Sequence, residues 1–231
     1  ELQLKLRSLH PADIAYILEA LPLEDRLLVW RQMPDDQGGE VLLEVSDAVR
    51  DSLIEVLDRP ALVKVLGQLD ADDLADLAEA ITEDVLAEVL QTLNARDRDW
   101  LQTTLAYPED QVGHRMSQDI LTVRESQRVE QVLWLLRGRE ELPPNTDCLF
   151  VVDARHLFKG VLPLPALLLN DPQKHIAELM ITNPVLFGPT DDADEAARAF
   201  ERYDLVSAPV VNERGKLVGR LTVDEVMDYI R

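Results

Sequence analysis

The stretch LDADDLADLAEAIT, Leu69 to Thr82, begins on one apolar residue, Leu69, and reaches another, Ile81, twelve positions later. The same spacing runs through Leu9, Leu21, Met33, Val45, Leu57, Leu69, Ile81, Leu93 and Leu105. The residue after each marker is usually a helix starter: Pro22, Pro34, Ser46, Asp58, Asp70, Thr82 and Asn94. The Ser, Asp, Thr and Asn side chains among them are suited to accept from unpaired backbone N–H groups at a helix start. Five, eight and nine positions after the marker stand further apolar residues, as in Ile14, Ile17 and Leu18 or Leu86, Val89 and Leu90. That is one face of a 3.6-residue helix. Helices of two or three turns are marginal alone, so successive ones must stack. The period predicts an α-helical superhelix, a solenoid of about eight short helices over residues 1–106. Trp30 and Trp100 read as packing residues within it.

The wider composition agrees with a globular chain. It has 231 residues, 46% of them hydrophobic, enough for two buried cores. The formal net charge of −21 repels nucleic acid and anionic headgroups and favours cations or basic partners. No nucleic-acid partner is expected. A single cysteine, Cys148, excludes an internal disulfide framework and any multi-cysteine zinc site, and fits a reducing cytosolic compartment. The run VLPLPALLL from Val161 is too short for a membrane span and carries two prolines. The first residue is Glu1, and TVDEVMDYIR stops at Arg231 inside a helical pattern without a terminator. Both ends lead us to expect a piece of a longer protein.

After the junction YPEDQVGHRMS the pattern changes. VVDARHLFKGVLPLPALL from Val151 and VVNERGKLVGRLTVDEVM from Val210 align without a gap at a spacing of 59, so the second half is an internal duplication. Each copy reads as strand, helix, two-strand hairpin and closing helix: ILTV, QRVEQVLWLLRG, CLFVVDARHLFKGVL and PALLLN, then VLF, ADEAARAFERYD, APVVNERGKLVGRL and TVDEVMDYI. Gly215 supplies the left-handed residue of the second hairpin turn, and His156 takes that place in the first. The expected divisions are residues 1–106, a junction over 107–116, a first unit over 117–179 and a second over 180–231. The two units count as one α/β domain, packed sheet to sheet.

The opening LHPADIAYILEALP, the stacked short helices, the YPEDQVG..MS junction and the tandem units together resemble the cytosolic region of MgtE-type magnesium channels or transporters, whose paired units are cystathionine-β-synthase-type (CBS) domains. The resemblance implies a homodimer through the CBS domains, located on the cytoplasmic face of a membrane. It also implies a connecting helix and membrane domain beyond Arg231. It further implies that Mg2+ bridges acidic residues of the helical and CBS domains, compacts the assembly and closes the pore. Two carboxylates about 6 Å apart at an effective dielectric near 20 repel by roughly 3 kcal/mol. A few such pairs approach the ~5.5 kcal/mol that carries a two-state equilibrium from 1:99 to 99:1.

Carried over by position, the family's metal-contacting carboxylates fall on Asp194, Asp204, Glu225 and Asp228 in the second CBS unit. In the N domain they fall at or near Glu40 and Asp73, with Asp76 close by. A plainer reading stands beside this one. Asp58, Asp70 and Asp72 are explained by helix starts, and Asp76, Glu79 and Glu83 by a solvated face. CBS pairs also bind adenine nucleotides through a Gly-x-x-Ser/Thr-x-x-Asp stretch. Here GRLTVDE keeps Gly219 and Thr222 but puts Glu225 in place of the acid, and GVLPLPA loses both hydroxyl and acid. This leaves room for one ATP site, in the second copy. Cys148 reads as core, and His10, His114, His156 and His175 form no ligand pattern, so no enzyme is expected. His114 and Arg115 follow the junction glycine where the family often has small residues, which implies a stiffer hinge. The competing readings are an adenine-nucleotide sensor and a helical interaction scaffold dimerised by its CBS pair.

Overall fold

The computed structural model describes residues 2–230, with the side chain of Asp35 outside that description. The chain divides into two compact units, Glu1–Gln102 and Thr103–Arg231. Nine α-helices lie among the described residues up to Thr104: α1 (Leu2–Leu6), α2 (Pro11–Ala20), α3 (Leu23–Trp30), α4 (Gly38–Glu44), α5 (Asp47–Ile54), α6 (Arg59–Leu66), α7 (Ala71–Leu77), α8 (Glu83–Thr92) and α9 (Ala95–Thr104). Short 3-10 turns at Asp35–Gln37 and Ala78–Ala80 complete the set. The period thus yields nine α-helices where about eight were expected, because the segment before Leu9 forms a short helix of its own.

Each twelve-residue marker occupies a turn. Leu21, Val45 and Leu93 are the C-caps of α2, α4 and α8, and Ile81 follows the Ala78–Ala80 turn. Behind them Ile14, Leu18, Leu42, Leu53, Leu66, Leu74, Leu77, Val89 and Leu101 are completely buried. Three expected caps form: Asp58 accepts from Ala61 N–H, Asp70 from Asp72 and Asp73 N–H, and Asn94 from Asp97 N–H. Ser46 and Thr82 stand at N-cap positions without the expected side-chain bond. Ser46 instead donates its backbone N–H to Glu19 Oε1 at 2.6 Å, and the Thr82 hydroxyl engages Asp84.

A second device joins the helices. Arg26 Nε donates to the Leu18 carbonyl (2.9 Å), Arg50 Nε to that of Leu42 (2.8 Å) and Arg98 Nε to that of Leu90 (2.8 Å). The same guanidiniums reach the marker carbonyls of Leu21, Val45 and Leu93. Helix C-termini leave carbonyls unpaired, and here a cation from the following helix satisfies them. The series skips one step: the position two repeats after Arg50 is Leu74, a core residue.

In the second unit α10 (Val112–Arg115) precedes β1 (Thr122–Arg124), α11 (Val129–Arg137), β2 (Cys148–Val152), β3 (Phe158–Pro163) and α12 (Leu164–Leu169). After a 3-10 turn at Ile176–Glu178 come α13 (Ala193–Tyr203), β4 (Ser207–Val211), β5 (Leu217–Thr222) and α14 (Val223–Tyr229). The expected run-on of α14 at Arg231 lies outside the described residues. β1 pairs parallel to β2 and β2 antiparallel to β3, while β4 and β5 form an antiparallel pair. The expected strand VLF shrinks to one bridge between Phe187 and Val210, since Pro184 and Pro189 bracket it and supply no donors. His156 and Gly215 both take left-handed φ, 62° and 72°, at the two hairpin turns.

The repeats exchange edges. Ser117, at the start of the first repeat, pairs with Arg220 on β5, and Ile181, at the start of the second, pairs with Val161 on β3. Gly160 and Gly219, equivalent in the two hairpins, permit these approaches. A Cβ at Gly160 would collide with the Ile181 carbonyl, and one at Gly219 would lie 2.7 Å from Met116 Sδ. Cys148 is buried at this junction with Phe150 and Val161, as core.

Candidate functional site

In the first unit, α7 begins with a capping aspartate and carries three more carboxylates within two turns. Asp70 Oδ1 accepts from the N–H groups of Asp72 (3.1 Å) and Asp73 (3.0 Å), which fixes the first turn. Asp73 is half-buried, and its carboxyl is pushed up to about 7. Desolvation is the main cause, followed by the charges of Asp70, Asp76, Asp72 and Glu40. Glu40 comes from the first turn of α4, which packs against α6 and α7. Of the three N-domain residues expected as a set, Glu40 and Asp76 are therefore each within electrostatic reach of Asp73. Every named charge acting on Asp73 is another carboxylate. Asp72 also receives a hydrogen bond from Trp100 Nε1 at 2.7 Å.

In the second unit the expected residues scatter. Asp194 is exposed on the first turn of α13, with Arg198 Nη2 at 4.0 Å, and it hydrogen-bonds the Tyr229 hydroxyl. Burial first, then that bond and the charges of Asp194 and Asp192, raises the Tyr229 phenol, while the Arg115 guanidinium stacks 5.2 Å over its ring. Asp204 caps the other end of α13 in the left-handed conformation, φ 49°. At about 1.5 Å per residue the two lie roughly 15 Å apart along the helix, too far for one ion. Asp228 is exposed on α14.

Glu225, expected among the metal-contacting carboxylates, is engaged at the start of its own helix. It folds back as the third residue of α14, accepting from Thr222 N–H at 2.7 Å and from the Thr222 hydroxyl in a capping box. Burial pushes its carboxyl up to about 7 against these bonds. The same contact occupies the Thr222 hydroxyl that the nucleotide pattern would turn to a ligand. Gly219 is covered by Met116. Nearby, Arg220 Nη2 donates to the Pro144 carbonyl at 2.9 Å and Asn145 Nδ2 to Asp224. The sequence pattern pointed to neither Arg220 nor Asn145.

Among the described residues, no group of three or more His, Cys, Asp or Glu side chains is placed to enclose a metal ion. Magnesium, which keeps several waters and takes one or two carboxylates, does not require such a cage, and an all-oxygen donor set suits it. Among the same residues no helix is long and apolar enough to cross a membrane.

The MgtE intracellular N domain family matches residues 9–110, and the CBS domain family matches residues 176–231. The chain is 33% identical to the magnesium transporter MgtE of Thermus thermophilus over 228 residues, 97% of this chain and 51% of the relative. It is 26% identical to the magnesium transporter MgtE of Bacillus subtilis over 223 residues, 96% of this chain and 49% of the relative. The chain thus spans about half the length of these curated relatives, which are transporters rather than enzymes. The crystal structure of the cytosolic domain of the Mg2+ channel MgtE in complex with ATP superposes with a TM-score of 0.84 at 33% identity, covering 98% of this chain and 92% of that one. Its helical N domain followed by paired CBS units, together with that whole-length match, make this chain a member of the MgtE cytosolic-domain family.

Proposed function

We propose that this chain is the Mg2+-sensing regulatory module of a membrane magnesium channel or transporter, acting on the cytoplasmic face. Mg2+ bound between acidic residues of the helical unit and the CBS pair favours a compact arrangement that closes the pore. The observation that carries this reading is the carboxylate cluster of Glu40, Asp70, Asp72, Asp73 and Asp76, in which Asp73 resists ionisation. Such a cluster holds unfavourable energy that a divalent cation releases on binding. Asp194, Asp204 and Asp228 supply exposed carboxylates on the second unit, with several weakly held ions rather than one enclosed site. The partners are a second copy, met through exposed apolar residues of the CBS helices such as Leu168, Leu169 and Met227, and the connecting helix and membrane domain of the same protein.

The test is a MgCl2 titration of this chain followed by small-angle scattering and protease resistance. The expected result is compaction at millimolar Mg2+ that NaCl of equal ionic strength does not produce. An identical response to both salts refutes the reading.

Adenine-nucleotide sensing is the second reading, favoured by the ATP-bound neighbour and by the retained Gly219 and Thr222. It predicts thermal stabilisation by ATP that Thr222→Ala removes.

A further inference from the structure

We infer that Trp100 is a positioning residue of the acidic cluster: its indole N–H holds the Asp72 carboxylate in place and ties the cluster to α9, the helix that leads out of the first unit. The inference rests on the magnesium reading above for the identity of the ligand.

Three observations carry it. The Trp100 Nε1–Asp72 Oδ1 distance of 2.7 Å spans 28 positions of sequence and joins two half-buried side chains. An indole N–H donates and cannot accept, so the bond specifies a carboxylate or carbonyl opposite it, which packing alone does not. Asp72 is anchored through its own N–H to Asp70, and its charge acts on Asp73. Its carboxylate is therefore shared between the cluster and a second helix.

Trp100 is in turn presented by a fixed element. Asn94 caps the start of α9 by accepting from Asp97 N–H at 3.0 Å, and Arg98 binds the helix to the Leu90 and Leu93 carbonyls. Trp100 also stands two repeats after Asp76, at the same register of the twelve-residue period. The row of repeat positions that carries an acid on α7 thus carries on α9 the donor that orients its neighbour. Partners that orient a metal-binding carboxylate typically matter by about 10–100-fold in metal affinity. α9 runs to Thr104 and so crosses from Gln102 to Thr103, the boundary between the units. A cation that redirects Asp72 acts on that helix through the Trp100 hydrogen bond.

The experiment is the MgCl2 titration on the whole chain, read as the scattering midpoint beside the melting temperature, for the unaltered chain, Trp100→Phe, Asp72→Asn and the double variant. Phenylalanine keeps the apolar ring and removes the donor. The expected result is a midpoint about tenfold higher for Trp100→Phe. Trp100→Phe should add no further shift once Asp72 is Asn. An unchanged midpoint in Trp100→Phe, or a shift of equal size in both backgrounds, overturns the inference and leaves the magnesium reading standing. Absence of any Mg2+-specific response in the unaltered chain overturns both.

Discussion

The Cys148 Sγ lies 3.6 Å from the Ser207 Oγ, and the two residues hold the same position in the two CBS repeats. Leu157 and Lys216, also equivalent, form a bridge between the hairpins. The duplication therefore meets itself along a pseudo-twofold line. Ser207 donates its hydroxyl hydrogen bond to Asp147 Oδ1 at 2.5 Å, so the thiol faces a hydroxyl already committed as a donor.

That environment makes Cys148 inert. Burial pushes its thiol up to about 11, and the Asp147 charge acts in the same direction. The reactive thiolate is then a very small fraction at neutral pH. A thiol reagent at pH 7.5 should label the native chain at least about a hundredfold more slowly than the urea-unfolded chain. Comparable rates in the two states would contradict the buried assignment.

Asp73 makes stability depend on pH. Its folded pKa, about 7, lies above the ordinary 3.8, so the fold favours the protonated form. The stability it contributes is complete below about pH 3.8 and is lost as pH rises through about 7. Asp73→Asn should stabilise the metal-free chain at pH 8 by on the order of 2 kcal/mol, allowing for screening of a partly exposed carboxyl. The gain should be about half as large at pH 5.5. Urea unfolding at the two pH values measures it, and destabilisation at pH 8 would remove the like-charge account.

The guanidinium links in the helical unit should outrank its surface ion pairs. Arg50→Met leaves the carbonyls of Leu42 and Val45 without their partner and should cost about 2 kcal/mol. Arg59 makes short contacts to Asp84 and Glu88 on an exposed surface. Arg59→Met should therefore cost clearly less than Arg50→Met. Urea midpoints of the two variants decide the order, and the reverse order would refute it.

Equivalent glycines should respond unequally. Gly160→Ala drives a methyl into the Ile181 carbonyl, a backbone atom held by its own hydrogen bond to Val161, and should cost about 3 kcal/mol or prevent folding. Gly219→Ala meets the flexible Met116 side chain and should cost nearer 1 kcal/mol, recovered in part by Met116→Ala. Melting temperatures of the three variants measure this, and equal losses at the two glycines would show that the exchanged edges are more pliant than described.

Much of the architecture follows from local patterns. The twelve-residue period locates the turns of the helical unit because each marker must be apolar and each helix start must offer an acceptor. The duplication at a spacing of 59 identifies two hairpins, and the left-handed positions at His156 and Gly215 follow from the turn that length requires. Ser46 and Thr82 were misread because a hydroxyl can bond elsewhere once a neighbouring carboxylate, Glu19 or Asp84, comes within reach. VLF was misread because apolar character does not reveal flanking prolines' effect on pairing until the partner strand is known.

The sequence by itself determined the elements, their order and the excess of acid along α7, since these depend on period, caps and composition within a few turns. Tertiary structure alone decided which acids act together. Glu40 joins Asp73 because α4 packs on α7, and Trp100 reaches Asp72 because the fold brings α9 to α7. Glu225 turns inward because its nearest donors are the N–H and hydroxyl of Thr222. Electrostatic coupling depends on distance and desolvation, and both are set only when segments distant in sequence are brought together.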